Sequence, residues 1–83
     1  MSQAGAMHEW AFRILQAAVE EAKDEPGVYV SRARVMQQSN ISDLGEFLAA
    51  AEYLDRRGLI SEGVNDYDFF VVTLEGIGEG ARY

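Results

Sequence analysis

The chain has 83 residues, 48% of them hydrophobic and 25% charged, which predicts one folded domain rather than a disordered tail or a large enzyme. Its net charge of −7 disfavours partners held by phosphate neutralisation, and the lack of cysteine excludes disulfides, thiolate nucleophiles and zinc knuckles. No apolar run approaches a membrane span, and MSQAGAMHEW has neither a basic start nor an apolar signal core, which points to the cytoplasm.

Residues 1–6 are small and polar and read as a flexible N-terminus. From 7 to about 23, Met7, Trp10, Ala11, Ile14, Leu15, Ala18, Val19 and Ala22 recur at helical spacing. Asp24-Glu25-Pro26-Gly27 ends that helix, because proline cannot continue the hydrogen-bond ladder and glycine accepts a left-handed turn. Val28-Tyr29-Val30 predicts a short strand. Ser31 is expected to cap a second helix carrying Ala33, Val35 and Met36, which fades at Gln38-Ser39-Asn40. Ile41 then forms a buried plug, and Ser42 or Asp43 caps a third helix running to about Arg57. Glu46 falls three residues after Asp43, the spacing of a capping box. Gly58 supplies the left-handed residue that ends this helix, with Arg56 and Arg57 matching its dipole. Residues 59–64 and 69–74 read as two strands joined by the turn formers Asn65-Asp66-Tyr67-Asp68. Gly76, Gly78 and Gly80 alternate at the end, which predicts a Gly-rich tail at 78–83 and no final helix.

Two stretches carry a family resemblance. YLDRRGLIS (53–61) resembles the recurrent end of a recognition helix: a leucine, a charged run, a glycine, then a Leu-Ile strand start. FFVVTLEGI (69–77) is similar to a return strand whose threonine caps a turn before a Glu-Gly pair. Together with the element order, these resemble the winged helix-turn-helix superfamily over residues 7–77. The resemblance implies a small α+β fold of three helices, a short strand and a two-stranded wing. It also implies a third helix that enters the DNA major groove and a wing that touches the backbone. Many members continue into a fourth, dimerising helix, which the glycine-rich end does not predict here.

The charges do not suit that role. At 100° per residue, Leu44, Phe47, Leu48, Ala51 and Leu54 form the buried stripe of the third helix. Its other face carries Gly45, Glu46, Ala49, Ala50, Tyr53, Arg56 and Arg57, whereas base reading wants Arg, Lys, Asn or Gln near the helix start. No Lys or Arg stands between Gly58 and Gly80, and the wing carries Glu62, Asp66 and Asp68. Residues 1–40 hold four Lys/Arg and five Asp/Glu, net −1; residues 41–83 hold three and nine, net −6. Only Arg32, Arg34, Arg56 and Arg57 are candidates for nucleic-acid contact, against the plainer reading that they cap helices and solvate the surface.

Helix 1 has apolar material to spare. Its arc runs from Ala17 and Trp10 through Ile14, Met7, Ala18 and Ala11 to Leu15, Val19 and Phe12, roughly twice the width of a one-sided surface helix. Trp10 and Phe12 lie about 160° apart, so one is expected to point inward and the other toward a partner or a second copy. Of Phe69 and Phe70, strand alternation turns one outward. The protein-docking candidates are Trp10, Phe12, Tyr53, Tyr67 and Phe70.

Chemistry finds little footing. His8 is the only histidine and reads as solvated. The carboxylates are scattered, with no pocket implied for an acid–base dyad. Asn65, Asp66 and Asp68 lack the central glycine and final glutamate of a calcium loop, and the terminal glycines do not lead a strand into a helix as a phosphate cradle does. The expectation is a non-enzymatic acidic winged-helix module with no cofactor, metal, small-molecule substrate or membrane. It would dock on a protein or self-associate, as an adaptor, a subunit or an acidic decoy at a nucleic-acid-binding site. The alternative is a small DNA-binding transcriptional regulator.

Overall fold

The computed structural model describes the backbone of residues 2–81 and the side chains of 9–80. Its elements are α1 (Ser2–Glu21), β1 (Tyr29–Ser31), α2 (Arg32–Ser39), α3 (Leu44–Arg56), β2 (Ile60–Glu62), β3 (Phe69–Val72) and α4 (Leu74–Ala81). A single 3-10 turn, Asn65–Tyr67, lies between β2 and β3. Over the described residues the protein is thus α+β, with four helices and one three-stranded antiparallel sheet. The side chains of Met7 and His8, the N-terminal Met1, and residues 82–83 lie outside the described residues.

The breaks follow local chemistry. α1 gives way to Lys23 and Asp24 in the left-handed region and then to Gly27 at φ 82°. The Gly27 N–H donates to the Val72 carbonyl, so this turn is tied to the end of β3. Ser31 stands at the start of α2 but makes no side-chain capping bond, a departure from its expected role. Asn40, at φ 62°, ends α2, since asparagine tolerates this backbone better than most side chains. Asp43 caps α3 as expected, its carboxylate accepting the Glu46 N–H at 2.9 Å. Gly58, at φ 78°, turns the chain out of α3 toward β2.

The sheet order is β1-β3-β2, so the most apolar strand lies in the middle. Tyr29 pairs with Val71 and Ser31 with Phe69 on one side; Ile60 pairs with Val72 and Ser61 with Val71 on the other. Val30, Phe70, Val72 and Ile60 point into the core, where Phe70 meets Phe47 of α3 and Tyr67 at centroid distances of 6.1 and 6.3 Å. The buried stripe of α3 is Phe47, Ala50, Ala51 and Leu54. Ala50 therefore belongs inside rather than on the open face, and Leu48 is only half-buried. Leu44 is exposed, because the first turn of α3 projects past the core that covers the later turns. Ile41 is buried between α2 and α3, as expected.

The largest correction is at the end of the chain. Residues 74–81 form a helix where the last strand was expected to reach Leu74 and the glycines to give a flexible tail at 78–83 with no final helix. Two features overcome the weak propensity of its glycines. Thr73 Oγ1 donates to the Gly58 carbonyl at 2.6 Å and accepts the Gly76 N–H at 3.0 Å, capping the helix and anchoring it to the α3–β2 turn. The glycines also permit backbone contact: a Cβ on Gly76 would fall on the Leu59 carbonyl, and one on Gly80 would stand 2.9 Å from Val19 Cγ2. α4 thereby packs on α1. Tertiary packing of this kind outweighs propensity in short helices.

Gly76→Ala is expected to destabilise the domain by about 1–3 kcal/mol through overpacking. Gly78, with no atom within 4 Å of its notional Cβ, is the matched control. Gly78→Ala should be neutral or stabilising by about 0.5–1 kcal/mol, and urea denaturation of the two variants checks both signs.

Candidate interaction surfaces

The four arginines considered for nucleic acid each have a local partner. Arg32 begins α2 beside the β2–β3 loop, where it donates to the Asp66 carbonyl at 2.8 Å and pairs with Asp68 at 3.6 Å. Its backbone N–H also donates to the Asp68 carbonyl. Arg34 pairs with Glu21 of α1 at 3.0 Å, and the same carboxylate accepts Gln38 at 2.7 Å, clamping α2 to α1. Arg56 faces Glu52 one turn earlier at 3.8 Å, and Arg57 lies over the Tyr53 ring at 5.5 Å. Exposed pairs of this kind add at most about 1 kcal/mol each, but they fix where the charges stand.

The hairpin loop is folded back rather than held out. Asp66 and Tyr67 both lie in the left-handed region, at φ 56° and 59°. That backbone costs non-glycine residues on the order of 1–2 kcal/mol each, and burial of the Tyr67 ring against Phe70 offsets it. The Tyr67 hydroxyl donates to Asp55 Oδ2 of α3 at 2.7 Å. Burial, the bond to Asp55 and the charges of Asp55, Glu62 and Glu52 push its phenol well above the usual tyrosine range.

The docking candidates separate on burial. Tyr67 and Phe70 are core residues and are withdrawn as docking anchors: one plugs the hairpin loop, and the other sits at the centre of the sheet's inner face. Trp10 and Phe12 are both half-buried against the core, so the expected inward–outward split does not occur. The Ala17 side of α1 and the end of α2 line an open groove, and the Leu15–Val19 side is met by α4. Tyr53 is half-buried beneath Arg57.

The apolar residues left open lie elsewhere. Phe69 is the outward member of the Phe69–Phe70 pair, and the register places it on the outer sheet face with Tyr29 and Val71. Tyr29 and Val71 were not singled out from the sequence. Their signal was present: Val28-Tyr29-Val30 and Phe69-Phe70-Val71-Val72 are unbroken apolar runs, whereas strands wet on one face alternate. Among the described residues no three His, Cys, Asp or Glu side chains converge to hold a metal, and no helix is long and apolar enough to cross a membrane.

No protein-family model, curated protein or solved structure matches the chain.

The raised phenol gives a pH prediction with a definite sign. The unfolded chain releases the Tyr67 proton near pH 10 while the folded chain retains it. This contribution is therefore complete below about pH 10 and is lost as pH rises toward the folded-state value. Tyr67→Phe should lower stability at neutral pH by about 1–2 kcal/mol and flatten the alkaline decline. Urea denaturation of both proteins from neutral to strongly alkaline pH checks the two effects.

Proposed function

We propose that this chain is a non-enzymatic binding module of winged-helix type that docks on a protein rather than on duplex DNA. The element order supports the fold: a strand and two helices joined by a short turn, then a hairpin whose last strand returns beside β1. In the resembled superfamily the third helix and the wing approach phosphates. The corresponding surfaces here present Glu46 on α3 and Glu62, Asp66 and Asp68 on the hairpin.

The observation that carries the reading is the fate of Arg32. It is the arginine that reaches the hairpin, and its guanidinium is engaged by Asp66 and Asp68 instead of being presented outward. Counterion release, the main source of DNA affinity, needs several cations aimed at phosphates. A hairpin that supplies none of its own and draws in a neighbouring arginine works against that requirement. Apolar residues exposed beside carboxylates suit a protein surface, where aromatics anchor and charges select.

A salt titration against random-sequence duplex DNA tests the reading. Binding at physiological salt should be no tighter than about 10⁻⁴ to 10⁻⁶ M, the nonspecific range. Submicromolar binding that Arg56→Glu with Arg57→Glu abolishes would make the chain a DNA-binding regulator instead.

A further inference from the structure

The sheet has two apolar faces but only one core. Val30, Phe70 and Val72 fill the inner face, while the alternate residues Tyr29, Phe69 and Val71 share the outer one. Tyr29 is 64% exposed and Phe69 44%. Ser31, Ser61 and Gly63 border them without bulk. A Cβ on Gly63 would meet the Tyr29 ring, so that ring reaches from the β1 edge across the face to the end of β2. An aromatic laid against a sheet has little rotamer freedom left to lose on binding.

Charge and size narrow the occupant. The turn into β1 carries Asp24 and Glu25, and the hairpin loop at the other end carries Asp66 and Asp68, all exposed. The nearest cations in the chain are Lys23 and Arg32, and Arg32 is paired with Asp68. The exposed apolar area of the face is on the order of 250 Å², about a third of what each side of a standard stable interface buries. A second copy would also bring these carboxylates against their own kind. A short cationic segment with an apolar anchor meets both limits: its side chain covers the aromatics and its Lys or Arg groups face the acids at either end.

We infer that the outer sheet face, centred on Tyr29, Phe69 and Val71, is the docking surface, and that its partner is a cationic protein segment carrying one or two apolar side chains. This rests on the protein-binding reading above and adds the surface and the partner's chemistry to it.

The test pans a displayed library of random dodecapeptides against the full chain, then measures synthetic versions of the enriched peptides. Enrichment should combine Lys or Arg with an aromatic or aliphatic residue. The peptides should shift the amide resonances of Tyr29, Ser31, Phe69 and Val71, and bind more weakly as salt rises. Tyr29→Ser with Phe69→Ser should lower affinity at least tenfold while the circular dichroism spectrum is retained. Glu25→Lys with Asp66→Asn, which leaves the apolar face intact, should lower it as well, so a fold defect in one variant does not decide the matter. Failure to enrich, enrichment of acidic or neutral peptides, or indifference to both double variants overturns the inference. So does a dimer in sedimentation that Tyr29→Ser with Phe69→Ser dissociates, because the occupant is then a second copy. Peptides that bind tightly but ignore the sheet face remove this surface and leave the protein-binding reading standing. Submicromolar DNA binding removes that reading itself.

Discussion

Helix α1 carries more apolar surface than any one neighbour can cover, and the rest of the architecture answers that constraint. Burying only one side would leave the other wet, at roughly 25 cal/mol for each Å² of apolar area. The chain instead brings three helices to it: α2, α3 and α4 all pack on α1. Small residues make the close approach possible, with Ala11, Ala18 and Ala22 of α1 buried against the core and Gly80 of α4 set against Val19 and Leu15. The clamp of Arg34 and Gln38 on Glu21 holds α2 on the opposite flank. What looked like spare surface for a partner is largely interior, closed by a helix that local propensity alone would not form.

Phe70 organises the second half of the molecule in a comparable way. It occupies the central strand, touches Phe47 and Tyr67, and so couples α3, the sheet and the hairpin loop through three rings. The loop accepts two consecutive left-handed residues to deliver Tyr67 to this cluster, and the hydroxyl finds Asp55 as it arrives. Arg32 closes the same loop from the other side. Polar groups that could have faced a ligand are thereby engaged in shaping the hairpin. The outer sheet face stays open, apolar in the middle and acidic at its ends.

Much of this was legible in the residues. Element order as far as the hairpin, the Asp43 cap, the left-handed Gly58, the Ile41 plug and the acidic hairpin are local matters, decided by hydrogen-bonding capacity, backbone freedom and charge within a few positions. Helical projection also found Phe47, Ala51 and Leu54. It misassigned Ala50 because a small side chain gives a weak periodic signal, and it misassigned Leu44 because periodicity says nothing about where a neighbouring element ends.

The sequence by itself determined the α+β order as far as the hairpin, the charge asymmetry and the presence of two unbroken apolar strands. Tertiary structure alone decided that Gly76 and Gly80 serve close packing instead of flexibility, that Tyr67 turns inward while Tyr29 stays out, and that Arg32 faces carboxylates. The physical reason is the same in each case. A glycine, a tyrosine and an arginine each have more than one acceptable environment, and the choice depends on atoms distant in the chain. For Gly76 that atom is the Leu59 carbonyl, for Tyr67 the Asp55 carboxylate, and for Arg32 the Asp66 carbonyl.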